Sequence, residues 1–308
     1  MLSLFTMWMV VTFTFFLLHQ MPGKPFASKK AIPPQVVENI VQKYGLDKPL
    51  VEQYFIYLSN VARGDLGISM KYVNKSVGSI ITEAFPVSLD LGLRALFIAL
   101  FMGIFLGVAA ALNKNKPIDD ITLFISVIGV AIPSFVLGTV SQYLLCYKLS
   151  EFLSGITGHS FRIFPVSGWK GFRYTIVPSA VLAFGAMALV IRMMRSSLLE
   201  VLEQNYIVNA VAKGLSKREI ITRHGLKNAL FPVVSILGPL SASIILGSFA
   251  VEKIFAIPGL GHYLVASVQE KDYTMVIGLS LFTSFIVILV NTLTDVLYSA
   301  MDPRIKYN

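Results

Sequence analysis

The chain has 308 residues, of which 55% are hydrophobic and only 14% charged, and its formal net charge is +9. A soluble domain of this size carries about a quarter charged residues, so the deficit points to lipid and away from a water-soluble enzyme. The basic excess reads first as anchoring at the cytoplasmic face of a bilayer and only second as nucleic-acid affinity. The single cysteine, Cys146, rules out an internal disulfide and reads as a small buried apolar residue.

Residues 1–18 are almost wholly apolar but lack the basic start and small-residue cleavage site of a signal peptide. At ~1.5 Å per residue they nearly cross a ~30 Å hydrocarbon layer, which predicts a first transmembrane helix over 1–20. No basic residue precedes Lys24, which leaves open a native start further upstream or an orientation fixed by later loops. Residues 21–86 are polar and carry Pro33, Pro34 and Pro49, so they predict a small folded excursion. Five more apolar runs follow: 87–112, 121–147, 176–191, 230–251 and 275–300. Each is near spanning length, the third of these being the shortest, and the total is six spans.

Short basic loops orient such a chain. Lys114 and Lys116, the group Arg192, Arg195, Lys213, Lys217, Arg218, Arg223 and Lys227, and finally Arg304 and Lys306 fall on one side if there are six spans. That side is predicted to be cytoplasmic, with 21–86 and the loops 148–174 and 252–273 outside. Gly103 and Gly107 form a GxxxG that lets two helix backbones approach. Pro133, Pro232 and Pro239 predict bends, either plain kinks or breaks lining a cavity. Asp90 and Arg94 are one helical turn apart and read as a structural ion pair, and Asp295 near the end of the last span as structural too.

The stretch 196–230 is too polar for lipid and too long for a simple connection. A helix is expected over 197–212, stopped by Gly214, which takes the left-handed conformation cheaply. Ser216 and Glu219 have the spacing of a capping box, and Leu215 and Ile220 that of a hydrophobic staple. A short basic helix from Lys217 to about Asn228 follows. Two helices fixed this firmly between spans suit a lever gripped by a partner; an inert structured loop is the plainer alternative. A DNA-reading helix-turn-helix is disfavoured because the turn is tethered to spans at both ends.

Other chemistry is missing from the sequence. There is no GxxxxGK[ST] phosphate cradle and no GxSxG, and His19, His159, His224 and His262 are scattered without metal-ligand spacing. Energy for active transport would have to come from another chain or an ion gradient, and the spans hold few carboxylates to couple to ions.

At this loop the segments Tyr206-Ile207, Ala210, Ala212-Lys213-Gly214-Leu215-Ser216, Arg223-His224, Asn228-Ala229-Leu230 and Pro232-Val233-Val234 resemble the coupling loop of ABC importer permeases of the oligopeptide and dipeptide class. The family's Glu-Ala-Ala is Val208-Asn209-Ala210 here, so Ala210 and Gly214 match while the glutamate is missing. Met21-Pro22-Gly23, Tyr44-Gly45-Leu46-Asp47, Gly64-Asp65-Leu66-Gly67, Pro133-Ser134-Phe135, Glu252-Lys253-Ile254-Phe255, Ile257-Pro258-Gly259, Asp272-Tyr273 and Asp302-Pro303-Arg304 extend the similarity over nearly the whole chain. Together they resemble the first of the two unlike permease subunits, which carries an extra outer domain.

The resemblance implies an all-α integral membrane fold with six transmembrane helices: a type-1 ABC importer permease core over 87–300, an extracellular domain over 21–86 and a cytoplasmic tail over 301–308. It implies a non-enzymatic, pore-forming subunit of an ATP-driven oligopeptide importer in the plasma (inner) membrane of a bacterium. Its partners would be a second homologous permease, two cytoplasmic ATPases that bind ATP and Mg, and an extracellular peptide-binding protein, with no cofactor, metal or nucleic acid on this chain. Ala210, Gly214, Leu215, Ser216, Glu219, Arg223, His224 and Asn228 are the expected ATPase-coupling residues. Ser134, Ser141, Gln142, Ser235, Ser241 and Asn291 are candidates to line a weakly binding path, against the commoner role of such residues in helix packing. The alternatives are a stand-alone ion-coupled transporter or channel, a membrane scaffold without a pore, or an ABC permease for nickel, dipeptide or heme.

Overall fold

The computed structural model describes residues 2–20, 38, 41–42, 45–72, 75–157, 159 and 162–301. The motifs at 21–23, Tyr44 and 302–304, with Arg304 and Lys306, lie outside the described residues. The described chain is helical, apart from turns and one isolated bridge between Ile68 and Ser76. In lipid this is the economical solution, because a helix satisfies every backbone polar group within itself.

In chain order, α1 is Leu2–Gln20, α2 Leu50–Ala62 and α3 Val77–Leu112. α4 is Pro117–Ala131 and α5 Ser134–Ser141, continued by a π-wound stretch Gln142–Lys148 into α6, Leu149–Thr157. α7 is Phe172–Leu202, α8 Asn205–Ala212 and α9 the single turn Lys217–Glu219. A second π-wound stretch, Ile220–Gly225, leads to α10 Leu226–Ala229, α11 Phe231–Ser235 and α12 Leu237–Ile254. α13 is Leu260–Glu270 and α14 Tyr273–Met301.

Among the described residues, α1, α3, α7, α12 and α14 are long and apolar enough to cross a bilayer, which makes five candidate spans, or six if the bent pair of α4 and the helix from Ser134 counts as one. The run expected as one span over 121–147 turns by 106° between α4 and the helix that starts at Ser134. Ile132 is extended, with φ −91° and ψ 119°, as the clash of a following proline ring requires. A residue out of helix followed by Pro133 makes a corner and not a kink.

Two boundaries also differ from the sequence reading. α3 starts at Val77, not at 87, because Pro86 removes one ladder bond without stopping a helix whose neighbours hold it. α7 runs on through Arg192 and Arg195 to Leu202, well past the apolar run that ended at 191.

The chain divides into two compact units, residues 1–88 with 258–288, and residues 89–257 with 289–308. In the first, Val11, Phe15 and Leu18 of α1 share a core with Tyr54 and Tyr57 of α2 and with Tyr273, Val276 and Ile277 of α14. The described part of the expected outer domain therefore does not stand alone; it packs on the first span. The buried Asp272 caps α14, accepting the Met275 N–H at 3.2 Å, and it holds the turn before α3 by accepting from the Ser69 hydroxyl and the Lys71 N–H. Burial pushes its carboxyl above the usual range, and these donors pull it back in part.

In the second unit α7 is the central post, with two-thirds of its apolar window buried. The GxxxG of α3 is a true close approach: a Cβ on Gly103 would lie 2.7 Å from Val190 Cβ, and one on Gly107 2.8 Å from the Ile191 carbonyl. On another side of α7, Gly129 of α4 meets Ala188 and Gly185.

Gly107→Leu should therefore force α3 off α7, because the obstructing atom is backbone and cannot turn aside. We expect a loss of about 2–3 kcal/mol, read as a lower unfolding temperature in detergent. Gly155→Ala, where an added Cβ meets nothing within 4 Å, should leave that temperature unchanged.

Candidate functional site

The polar stretch after α7 is not the single helix expected over 197–212. α7 ends at Leu202, Gln204 is extended with ψ 146°, and α8 starts at Asn205. The Gln204 amide bonds back to the Glu200 carbonyl at 3.4 Å, competing with helix continuation. The break lets α8 fold back so that Ile207 and Ala210 bury against Ile220, with Leu202 and Leu215 packed around them. Ala210 is thus an inward-facing core residue of this small cluster.

α8 closes in a Schellman motif. The Gly214 N–H bonds to the Val211 carbonyl at 2.9 Å, and the Leu215 N–H reaches the Ala210 carbonyl at 3.3 Å. Gly214 sits at φ +78°, and a Cβ there would meet nothing within 4 Å, so glycine is required for its conformation and not for space.

The capping box forms as the spacing predicts. The Glu219 N–H donates to Ser216 Oγ at 3.3 Å, and Glu219 Oε2 accepts from the Ser216 N–H at 3.2 Å and from its hydroxyl at 2.9 Å. These Ser216 donors, with a smaller pull from Arg223, hold the Glu219 carboxyl below its usual range. The helix beyond is π-wound from Ile220 to Gly225, which the sequence reading did not foresee, and Gly225 faces α7 within contact of Leu198.

Asn228 works inward. Its Nδ2 donates to the Tyr206 hydroxyl at 3.0 Å and to the His224 carbonyl at 2.9 Å, tying the two arms of the turn together. The outer surface of the site is mixed: Val208 and Val211 are about 60% exposed and Tyr206 41%, and Lys213, Lys217, Arg218 and Arg223 are exposed as well. His224 is half-buried. An open apolar groove of about 290 Å³, lined by Leu112, Leu202, Val211, Leu215 and Ile221, adjoins the turn.

The path-lining candidates are not brought together. Ser134 faces an open cavity of about 260 Å³ at the α4–α5 corner, beside Gly129, Val181, Gly185 and Ser243. The Gln142 amide is engaged, donating to the Val166 and Ile254 carbonyls at 2.8 and 2.9 Å, so it ties segments of the fold. The Ser235 hydroxyl bonds to the Pro232 carbonyl. Asn291 presses on Gly238 at a tight helix crossing, and Ser141 and Ser241 are half-buried. The Asp90–Arg94 pair forms at 2.8 Å, with both side chains partly exposed.

Sequence reading missed two residues beside the turn. Asp119 is 1% exposed and receives Arg195 Nε at 2.6 Å and Nη2 at 2.7 Å. No local pattern in the sequence marks the pair, because the two residues are 76 positions apart.

Helices of spanning length packed through small residues, with a polar turn between two of them, make a multi-pass membrane fold. Residues 103–307 match the model described as binding-protein-dependent transport system inner membrane component, and residues 1–92 match its N-terminal companion; the chain belongs to this family. It is 40% identical over 305 residues to the dipeptide transport system permease protein DppB of Lactococcus lactis subsp. cremoris, covering 99% of this chain and 96% of that one. It is 41% identical to the oligopeptide transport system permease protein OppB of Haemophilus influenzae, covering 98% and 95%. Its fold is similar to that of a chain of the inward-facing MetNI methionine ABC transporter, with a TM-score of 0.53, 18% identity, and coverage of 72% of this chain and 96% of that one.

Ser216→Ala should cost the turn about 1 kcal/mol, seen as faster amide exchange over 216–229. Because the Glu219 carboxyl is held low, its contribution is present above the ordinary glutamate value, about pH 4.3, and is lost as pH falls through the lowered one. Exchange over this segment, corrected for its intrinsic pH dependence, should quicken in acid in the native chain and lose that response in Glu219→Gln.

Proposed function

We propose that this chain is the pore-forming permease subunit of an ATP-driven importer of oligopeptides and dipeptides. The observation that carries the reading is the turn at Gly214–Glu219, locked at both ends and hung between membrane helices. The dipeptide and oligopeptide permeases that it resembles, at about 40% identity over nearly their full length, support the peptide cargo.

In this reading the chain sits in the plasma (inner) membrane of a bacterium, with the basic segments 113–120 and 192–227 on the cytoplasmic side. The described part of 21–86 faces outward. A second homologous permease completes the pore, two cytoplasmic ATPases hold ATP and Mg, and an extracellular binding protein delivers peptide. Gly214, Leu215, Ser216 and Glu219 set the shape of the turn, while Ala210 and Asn228 hold its arms together from inside. Arg223 and His224, with the exposed Val208 and Val211, offer the docking face. Ser134, at the cavity beside the α4–α5 corner, is the strongest of the six path candidates; Ser141, Gln142, Ser235, Ser241 and Asn291 serve packing at least as much.

Mechanically, closure of the ATPases displaces the turn as a unit. Its internal bonds and small core make it too stiff to absorb the movement, so the displacement passes into α7 on one side and α11–α12 on the other.

The direct test is purification from membranes followed by reconstitution. We expect an ATPase pair and a second permease to co-purify, and peptide-stimulated ATP hydrolysis with peptide uptake in vesicles. Uptake by this chain alone would instead support a secondary transporter. Gly214→Val forces a β-branched residue to positive φ at a cost of about 1–3 kcal/mol. It should leave membrane insertion and ATP hydrolysis near native levels and abolish most uptake; native uptake in that variant would count against the reading.

A further inference from the structure

We propose that Asp119 and Arg195 are positioning residues that make α4 move with α7, so that displacement of the coupling turn reaches the α4–α5 corner. The inference rests on the reading given under Proposed function.

α4 and α7 run antiparallel and in register. Asp119 meets Arg195 near one end, and Gly129 meets Ala188 and Gly185 near the other. At the far contact Gly129 meets Ala188, Gly185 and the carbonyl and ring of Phe184, with no charged or hydrogen-bonded pair among them. Small residues let helices approach closely, but they offer little to stop one sliding along the other. The near contact is of the opposite kind. Arg195 presents two parallel donors to the two carboxylate oxygens, at 2.6 and 2.7 Å, which fixes distance and direction together. Burying the Asp119 charge is expensive, and a buried ion pair adds little net stability over an apolar contact; its best-attested use is to fix register.

The surroundings fit a joint. Asp119 Oδ2 also accepts the Asn115 N–H at 3.0 Å, and Asn115 is held at φ +61°, uncommon for a residue with a side chain. The tight connection from α3 is thereby fastened to the same carboxylate. Lys114 lies 3.6 Å from Glu203, the residue at which α7 ends and the turn toward α8 begins. That exposed pair is weak energetically, yet it places a second tie between the same two segments. The opposite end of α4 reaches the extended Ile132 and Pro133, where the Ser134 cavity opens. A shift of α7 carried through the fork therefore acts at the corner; without the fork, α7 can slip past α4.

The test uses the full transporter in vesicles, measuring peptide moved per ATP hydrolysed in Asp119→Asn and Arg195→Lys. Lysine keeps the charge but loses the two-pronged fork, which guards against a variant that simply fails to assemble. We expect assembled complex and ATP hydrolysis near native levels, with peptide per ATP falling on the order of tenfold in Asp119→Asn and by less in Arg195→Lys. Asp90→Asn, at the exposed pair, should leave the ratio unchanged. Spin labels at cysteines introduced at Ile121 and Ser196, both exposed, should show a broadened distance distribution in Asp119→Asn. A native ratio in Arg195→Lys, an unchanged label distance in Asp119→Asn, or uptake and hydrolysis that fall only in step with the amount of complex would overturn the proposal. Absence of ATP-driven uptake in the native complex would instead refute the transport reading beneath it.

Discussion

The backbone contact between α7 and its neighbours is the constraint on which the second unit depends. In lipid there is no hydrophobic gain in bringing two apolar helices together, since the tails are as apolar as leucine. Association has to come from close packing, and close packing requires that side chains be absent. Gly103 and Gly107 on α3 and Gly129 on α4 supply that absence, each against a different stretch of α7. This is why a helix with Val190, Ile191 and Met194 fully buried stands at the centre of the unit. Its apolar residues are enclosed because glycines on two neighbours allow it.

Where α7 leaves the apolar region the physics changes. Arg192 to Leu202 stays helical, and the chain beyond must satisfy its end groups without lipid or long helices to help. It does so with local devices: a Schellman closure at Gly214, a capping box at Ser216 and Glu219, and a five-residue core around Ile207, Ala210 and Ile220. The cap alone is worth about 1 kcal/mol, too little to stabilise a domain. Together they suffice to give one turn one shape. In the proposed role, a segment braced this way would pass movement on as a unit.

The features legible in the sequence are those whose cause is local. The spans show in hydropathy because one lipid layer imposes one length. The capping box shows because Ser216 and Glu219 are three residues apart and both ends of the bond are in view. Gly214 shows because few residues tolerate its backbone. The rest depends on partners distant in the chain. Proline marks the position of the α4–α5 corner, but its 106° angle depends on what α5 packs against, which no local pattern records. The break at Gln204 follows from the burial of Ile207 on Ile220, across the turn. Pro86 reads as a boundary when only sequence is considered, although the helix passes through it.

The Asp119–Arg195 fork is the clearest case of hidden information. Read along the chain, Arg195 is one of several basic residues that anchor a cytoplasmic face, and Asp119 is half of an acidic pair in a short turn. Nothing within ten residues of either distinguishes them. Their pairing becomes necessary only once glycine contacts have drawn α4 against α7, because a carboxylate buried to 1% exposure then needs a cation within reach. Small-residue packing and the buried ion pair are thus one arrangement. The glycines hold the helices close along one stretch, and the fork between Asp119 and Arg195 fixes their positions toward the other end.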